Sequence, residues 1–147
     1  MAKKRSKTAI ATEREALLEI YYQERGRITT KVTKKSTWSK GKDFFGIGDI
    51  LSYKGGVTKI TDVSSYNSYG KIEIMKDWLL DNLKDLPDKI ECEVAVWKKK
   101  SKRKAERFLI TTIIIEDGVI KVKPQYEVEV KAEWYKIIKE QERRGNQ

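Results

Sequence analysis

A Gly-Gly pair, Gly55-Gly56, separates two strand-like runs at 49–54 and 57–64. A two-residue primed hairpin turn needs positive φ at both central positions, and glycine adopts that without a steric penalty. The pair therefore predicts a register as well as a hairpin. Lys54 faces Val57, Tyr53 faces Thr58, Leu51 faces Ile60, and Asp49 falls opposite Asp62. Like charges directly opposite each other destabilise a strand pair, so this register calls for a cation between them. Ser64 follows Asp62 on the same face, because strand side chains repeat with period 2. Two carboxylates and a neighbouring hydroxyl suit a hard divalent ion.

Composition narrows the chemistry further. The chain has 147 residues, with 39% hydrophobic and 37% charged residues, which suits one globular domain with a heavily charged surface. Its net charge of +10 favours a polyanionic partner, nucleic acid before an anionic membrane. Histidine is absent and Cys92 is the single cysteine. Imidazole acid–base catalysis, a one-chain Cys/His zinc site and an internal disulfide are all excluded, so any metal must take oxygen ligands. Cys92 lies in an alternating strand and reads as a buried small hydrophobe. No apolar run is long enough to span a membrane, and the basic start (Lys3, Lys4, Arg5, Lys7) lacks a signal core, so a cytoplasmic setting is expected.

Along the chain, residues 1–10 read as a basic flexible arm and 11–147 as one domain. Residues 11–23 read as a helix stopped by Gly26, and 27–34 as a first strand. A basic loop at 34–42 carries Trp38, and the Gly-Gly hairpin follows. A second helix at 71–83 presents Ile72, Met75, Leu79 and Leu83 at core spacing. In the next strand, 89–97, Ile90, Cys92, Val94 and Val96 alternate with Glu91, Glu93, Ala95 and Trp97. A basic turn at 98–107 leads to a second hairpin, 108–122, turning at Asp117-Gly118. Residues 132–142 read as a terminal helix with Trp134 and Ile138 on its apolar side. The order is α-β-β-β-α-β plus a hairpin and helix, an α/β or α+β fold with a mixed sheet flanked by helices.

That order, with Lys42-Asp43-Phe44-Phe45-Gly46-Ile47-Gly48-Asp49-Ile50 and Ile60-Thr61-Asp62-Val63-Ser64-Ser65, resembles the PD-(D/E)xK, restriction-endonuclease-like nuclease superfamily. The likeness is to its archaeal Holliday junction resolvase-like branch and that branch's viral and plasmid relatives, and covers roughly residues 11–97. It implies that Asp49 matches the acid opening the second core strand. Asp62-Val63-Ser64 matches the acid-x-Lys triplet on the third, and Glu15 matches a glutamate common on the first helix. Gly48 stands where proline is frequent, and Ser64 stands where the water-orienting lysine belongs. Lys59, Lys71 and Lys76 are candidates to supply that ammonium; Lys59 falls on the opposite strand face from Asp62, which favours Lys71.

The resemblance implies a Mg²⁺-dependent endonuclease acting on branched or structured DNA, as a homodimer. Asp49 and Asp62 would hold metal; Glu15, Ser64 and Lys71 would complete the catalytic set. Glu15 also fits a capping box, Thr12-Glu13-Arg14-Glu15, with a purely structural role. Lys34, Lys35, Lys40, Lys42, Lys98 and Lys99 are the expected phosphate contacts, which confer affinity without sequence preference. Trp38 and Trp97 are candidates to stack on bases or to cover core edges. The 108–122 hairpin and the terminal helix either form a dimer interface or complete the core. The alternative is a nucleic-acid-binding protein whose site lost its lysine.

Overall fold

The computed structural model describes residues 6–31, 47–64, 69–86 and 89–145. Helix α1 (Lys7–Glu24) is followed by strands β1 (Ile28–Lys31), β2 (Ile50–Lys54) and β3 (Val57–Ser64). Helix α2 (Tyr69–Asp81) then leads to β4 (Ile90–Lys98), β5 (Arg107–Glu116), β6 (Val119–Val122), β7 (Tyr126–Glu129) and helix α3 (Ala132–Gly145). The strands form one mixed, open, seven-stranded sheet in an α+β fold. Its order is β1-β2-β3-β4-β5-β6, with β7 also paired to β5. Only β3 and β4 run parallel. A parallel pair cannot be joined by a tight turn, and α2 provides the crossover.

The sheet is buried on both faces. Ile60, Cys92, Val94, Val96 and Ile113 pack toward Met75 and Leu79 of α2. Ile50, Ala95, Phe108, Ile110 and Val128 pack toward α1 and α3, through Leu17, Leu18, Tyr22, Trp134 and Ile138. The alternation along β4 is thus an alternation between two cores, and Cys92 is fully buried in one of them. Trp134 and Ile138 complete the core rather than offering an interface. Among the described residues no helix is long and apolar enough to cross a membrane.

Helix α1 starts earlier than its sequence pattern suggests. Ser6 is the N-cap, its side chain accepting from the Ala9 N–H at 3.1 Å. Thr12 and Glu15 therefore lie inside the helix, which removes the capping-box role of Glu15 because no orphan amide remains there to cap. The C-terminus closes as a Schellman motif, with Gly26 N–H donating to Gln23 and Arg27 N–H to Tyr22. Strand β7 lies within a stretch that sequence periodicity left unassigned. Both hairpin turns are of the primed kind, with φ of 58 and 82 at Gly55-Gly56 and of 54 and 74 at Asp117-Gly118.

Candidate active site

The β2–β3 ladder pairs Lys54 with Val57, Tyr53 with Thr58, Leu51 with Ile60 and Ile50 with Thr61. The ladder ends at Ile50–Thr61, one residue short of the expected Asp49–Asp62 pair, and Asp49 sits in the bend before β2. Asp49 is tied to β3 twice: its N–H donates to the Thr61 carbonyl at 2.8 Å, and its Oδ2 accepts the Val63 N–H at 3.1 Å. This close approach depends on Gly48. A Cβ there would meet Ile60 Cγ2 at 2.5 Å, closer than carbon atoms approach, and would crowd the Thr61 carbonyl oxygen at 3.1 Å. Glycine at this position lets the chain bring Asp49 against β3.

Asp62 is 3% exposed, on the same face as Ile60, which packs under α2. Lys71, in the first turn of α2, reaches its Oδ1 with Nζ at 3.8 Å. The first turn also carries the positive end of the helix dipole, so both contributions favour the carboxylate. The other two candidate lysines go elsewhere. Lys59 pairs with Glu93 at 3.3 Å and Glu91 at 3.8 Å on the far face, and Lys76 pairs with Glu73 at 3.3 Å. Ser64, half-buried, closes β3 two residues beyond Asp62. Glu15 is half-buried on α1, whose core contacts lie on the opposite face of the sheet from α2.

Among the described residues no group of three or more His, Cys, Asp or Glu side chains is arranged to hold a metal. The available protein donors are thus two carboxylates and backbone carbonyls. Mg²⁺ is commonly held by one or two carboxylates, with water and substrate phosphate filling the remaining positions, so this donor set meets the minimum for that ion.

Lys34, Lys35, Lys40, Lys42 and Trp38 lie outside the described residues. Lys98 ends β4, half-buried, and Lys99 is exposed in the loop that follows. Trp97 is a core-edge residue: its ring packs edge-on against Phe108 at 5.3 Å, and the Arg14 guanidinium lies 4.8 Å from its centroid.

A second carboxylate cluster was not singled out from the sequence. Glu93, fully buried on the α1 side, accepts hydrogen bonds from Tyr22 at 2.8 Å, Thr112 at 2.6 Å, Tyr126 at 2.9 Å and Lys59 at 3.3 Å. The Tyr22 proton is committed to Glu93, so the 2.8 Å contact between Tyr22 and Thr61 is donated by Thr61. Burial first, and the Glu93 charge second, push the Tyr22 and Tyr126 phenols above their ordinary range. The signal was present in β4: Ala95 and Trp97 share the Glu93 face, so that face was never a solvent face.

No protein-family model matches this chain, and no curated protein matches it at a significant level.

Proposed function

We propose that the chain is a metal-dependent endonuclease that hydrolyses phosphodiester bonds in branched or otherwise structured DNA. The observation that carries this reading is the ion pair between Lys71 and Asp62, at 3.8 Å. It brings an ammonium to the acid-x-Ser triplet from the next helix, replacing the lysine that Ser64 displaced. The tie of Asp49 to β3, the parallel β3–β4 pair and the α2 crossover support the restriction-endonuclease-like resemblance. The net charge of +10 suits a DNA partner.

In this reading Asp49 and Asp62 would hold Mg²⁺ or Mn²⁺ together with a carbonyl of β3. Such an ion would supply charge neutralisation at the phosphate and a more acidic water. Asp49 is held against β3 by the Val63 amide, which donates to one carboxylate oxygen. Lys71 offsets negative charge on the scissile phosphate and orients the attacking water. Ser64 serves as a neutral hydrogen-bond partner for water, since a hydroxyl is a poor base. Two copies acting on paired strands of a junction would account for a homodimer.

The second reading, a DNA-binding protein without hydrolysis, is favoured by Ser64 itself and by the two-carboxylate donor set. Labelled four-way junction and duplex DNA, incubated with Mg²⁺, Mn²⁺ or EDTA, separate the two. The nuclease reading expects metal-dependent cleavage that disappears in Asp62→Asn. It also expects Lys71→Met to cut more slowly while losing less than about 1 kcal/mol of stability, since the lysine is largely solvated. Salt-sensitive binding with no cleavage under any metal supports the second reading; neither binding nor cleavage removes both.

A further inference from the structure

The α1–β1 turn and the tip of the β2–β3 hairpin enclose a cleft of about 210 Å³ on the opposite side of the sheet from α2. Tyr21, Tyr22, Arg25, Arg27, Lys54 and Lys59 line it, and among the described residues no acidic side chain does. Lys59 is neutralised by Glu91 and Glu93. The other three cations have no carboxylate within ion-pair distance among the described residues. Like charges gathered at one cleft repel, and the molecule keeps them there by specific contacts.

Each cation is fixed with donors to spare. The Arg25 guanidinium stacks 4.7 Å from the Tyr21 ring centroid, a geometry that leaves its in-plane N–H groups open. Arg27 spends Nε on the Ser52 hydroxyl at 2.8 Å and Nη2 on the Val57 carbonyl at 2.8 Å and the Ser52 carbonyl at 3.3 Å, while Nη1 makes no hydrogen bond within the described residues. Lys54 Nζ donates to the Arg25 carbonyl, using one of its three protons. Gly26 makes room for that lysine, since a Cβ at its φ of +82 would lie 3.3 Å from Nζ. The negative end of the α1 dipole accounts for one cation at this helix terminus; it does not account for three. Two forked guanidinium groups and one ammonium are the donor set that recognises phosphate.

We propose that this cleft is a phosphate-binding site, separate from Asp49 and Asp62. Lys54 is five residues along β2 from Asp49, about 17 Å of extended strand. The inference does not rest on the hydrolytic reading: the site takes the phosphate group of a free phosphate or nucleotide, or one phosphodiester of a nucleic-acid backbone.

The test is backbone amide and arginine side-chain NMR of the full chain, titrated at constant ionic strength with inorganic phosphate and, separately, with a short oligothymidylate. Saturable shifts at Gly26, Arg27, Lys54 and the Arg25 Nε–H support the site. In Arg25→Gln the apparent affinity should fall about tenfold or more, as loss of charge-assisted bonds implies, and in Lys139→Gln it should not change. A response to both probes identifies a backbone phosphate as sufficient; a response to inorganic phosphate alone identifies a free phosphate ligand. Absence of saturable shifts in the cleft with either probe would overturn the proposal. So would shifts spread evenly over surface lysines and unchanged in Arg25→Gln. The wild-type map decides the matter even if Arg25→Gln fails to fold.

Discussion

Two buried carboxylates sit on neighbouring strands, and they are held in opposite ways. Glu93 on β4 faces α1 and α3, enclosed by hydroxyls from α1, β5 and β7 and by the Lys59 ammonium. Its donors come from four elements that are themselves packed into the core. Asp62 on β3 faces α2, and its ion pair is with Lys71, whose side chain is 45% exposed. Glu93 is a rigid, fully solvated-by-protein acid that ties four elements together. Asp62 pairs with a lysine whose side chain reaches solvent, near where Asp49 is tied to β3. A carboxylate whose donors are all fixed in the core serves the fold; one paired with a partly solvated cation is the better position for the metal of the proposed function.

The largest effect expected from this contrast is on activity. Asp62→Asn should abolish metal-dependent cleavage while leaving the far-UV circular dichroism spectrum and cooperative unfolding intact. Glu93→Ala should do the reverse, unfolding at lower urea with a loss of about 3–5 kcal/mol, because it leaves the Tyr22, Thr112 and Tyr126 hydroxyls without their shared acceptor and removes one of the two partners of Lys59. If Glu93→Ala retained full stability, the structural half of the comparison would be wrong.

Gly48→Ala comes next. Its Cβ would clash with Ile60, a fully buried residue, at a cost of about 1–3 kcal/mol, and would push Asp49 away from β3. Urea titration and the cleavage assay should therefore fall together. Loss of stability with unchanged cleavage would separate Gly48 from the site.

The last effect appears only at alkaline pH, outside the range in which the other variants are compared. Burial first, and the Glu93 charge second, push the Cys92 thiol from 9.0 up to about 12. The folded state then holds its proton more tightly than the unfolded chain. The contribution is intact below pH 9 and is lost as pH rises toward 12, at up to about 1.4 kcal/mol per pH unit. The Tyr22 and Tyr126 phenols, raised in the same direction, steepen the fall above about pH 10. Cys92→Ala should flatten the earliest part of the curve in urea titrations across this range.

The parts of the molecule that sequence made legible are those set by local rules. Gly55-Gly56 determined the hairpin and its register from Lys54–Val57 to Ile50–Thr61, because turn chemistry and strand period leave one solution there; the expected Asp49–Asp62 pair is outside that ladder, since Asp49 N–H bonds to the Thr61 carbonyl. The same period placed Lys59 and Asp62 on opposite faces, as their separate ion pairs reflect. What sequence did not give depends on long-range partners. Glu93 meets Tyr22, 71 residues away, and Tyr126, 33 residues away, and neither contact leaves a local pattern. Strand β7 is only four residues long and exists through pairing with β5. Ser6 as the N-cap was hidden by a basic segment that resembled an arm.

The most direct test of the contrast is a Mg²⁺ titration followed by amide chemical shifts in the wild type, Asp62→Asn and Glu93→Gln. Saturable shifts at Asp49, Asp62 and Val63 in the wild type and in Glu93→Gln, absent in Asp62→Asn, are the predicted result. Shifts centred on Glu93, or a Val63 response that survives Asp62→Asn unchanged, would contradict the assignment of Asp49 and Asp62 as the metal-binding pair.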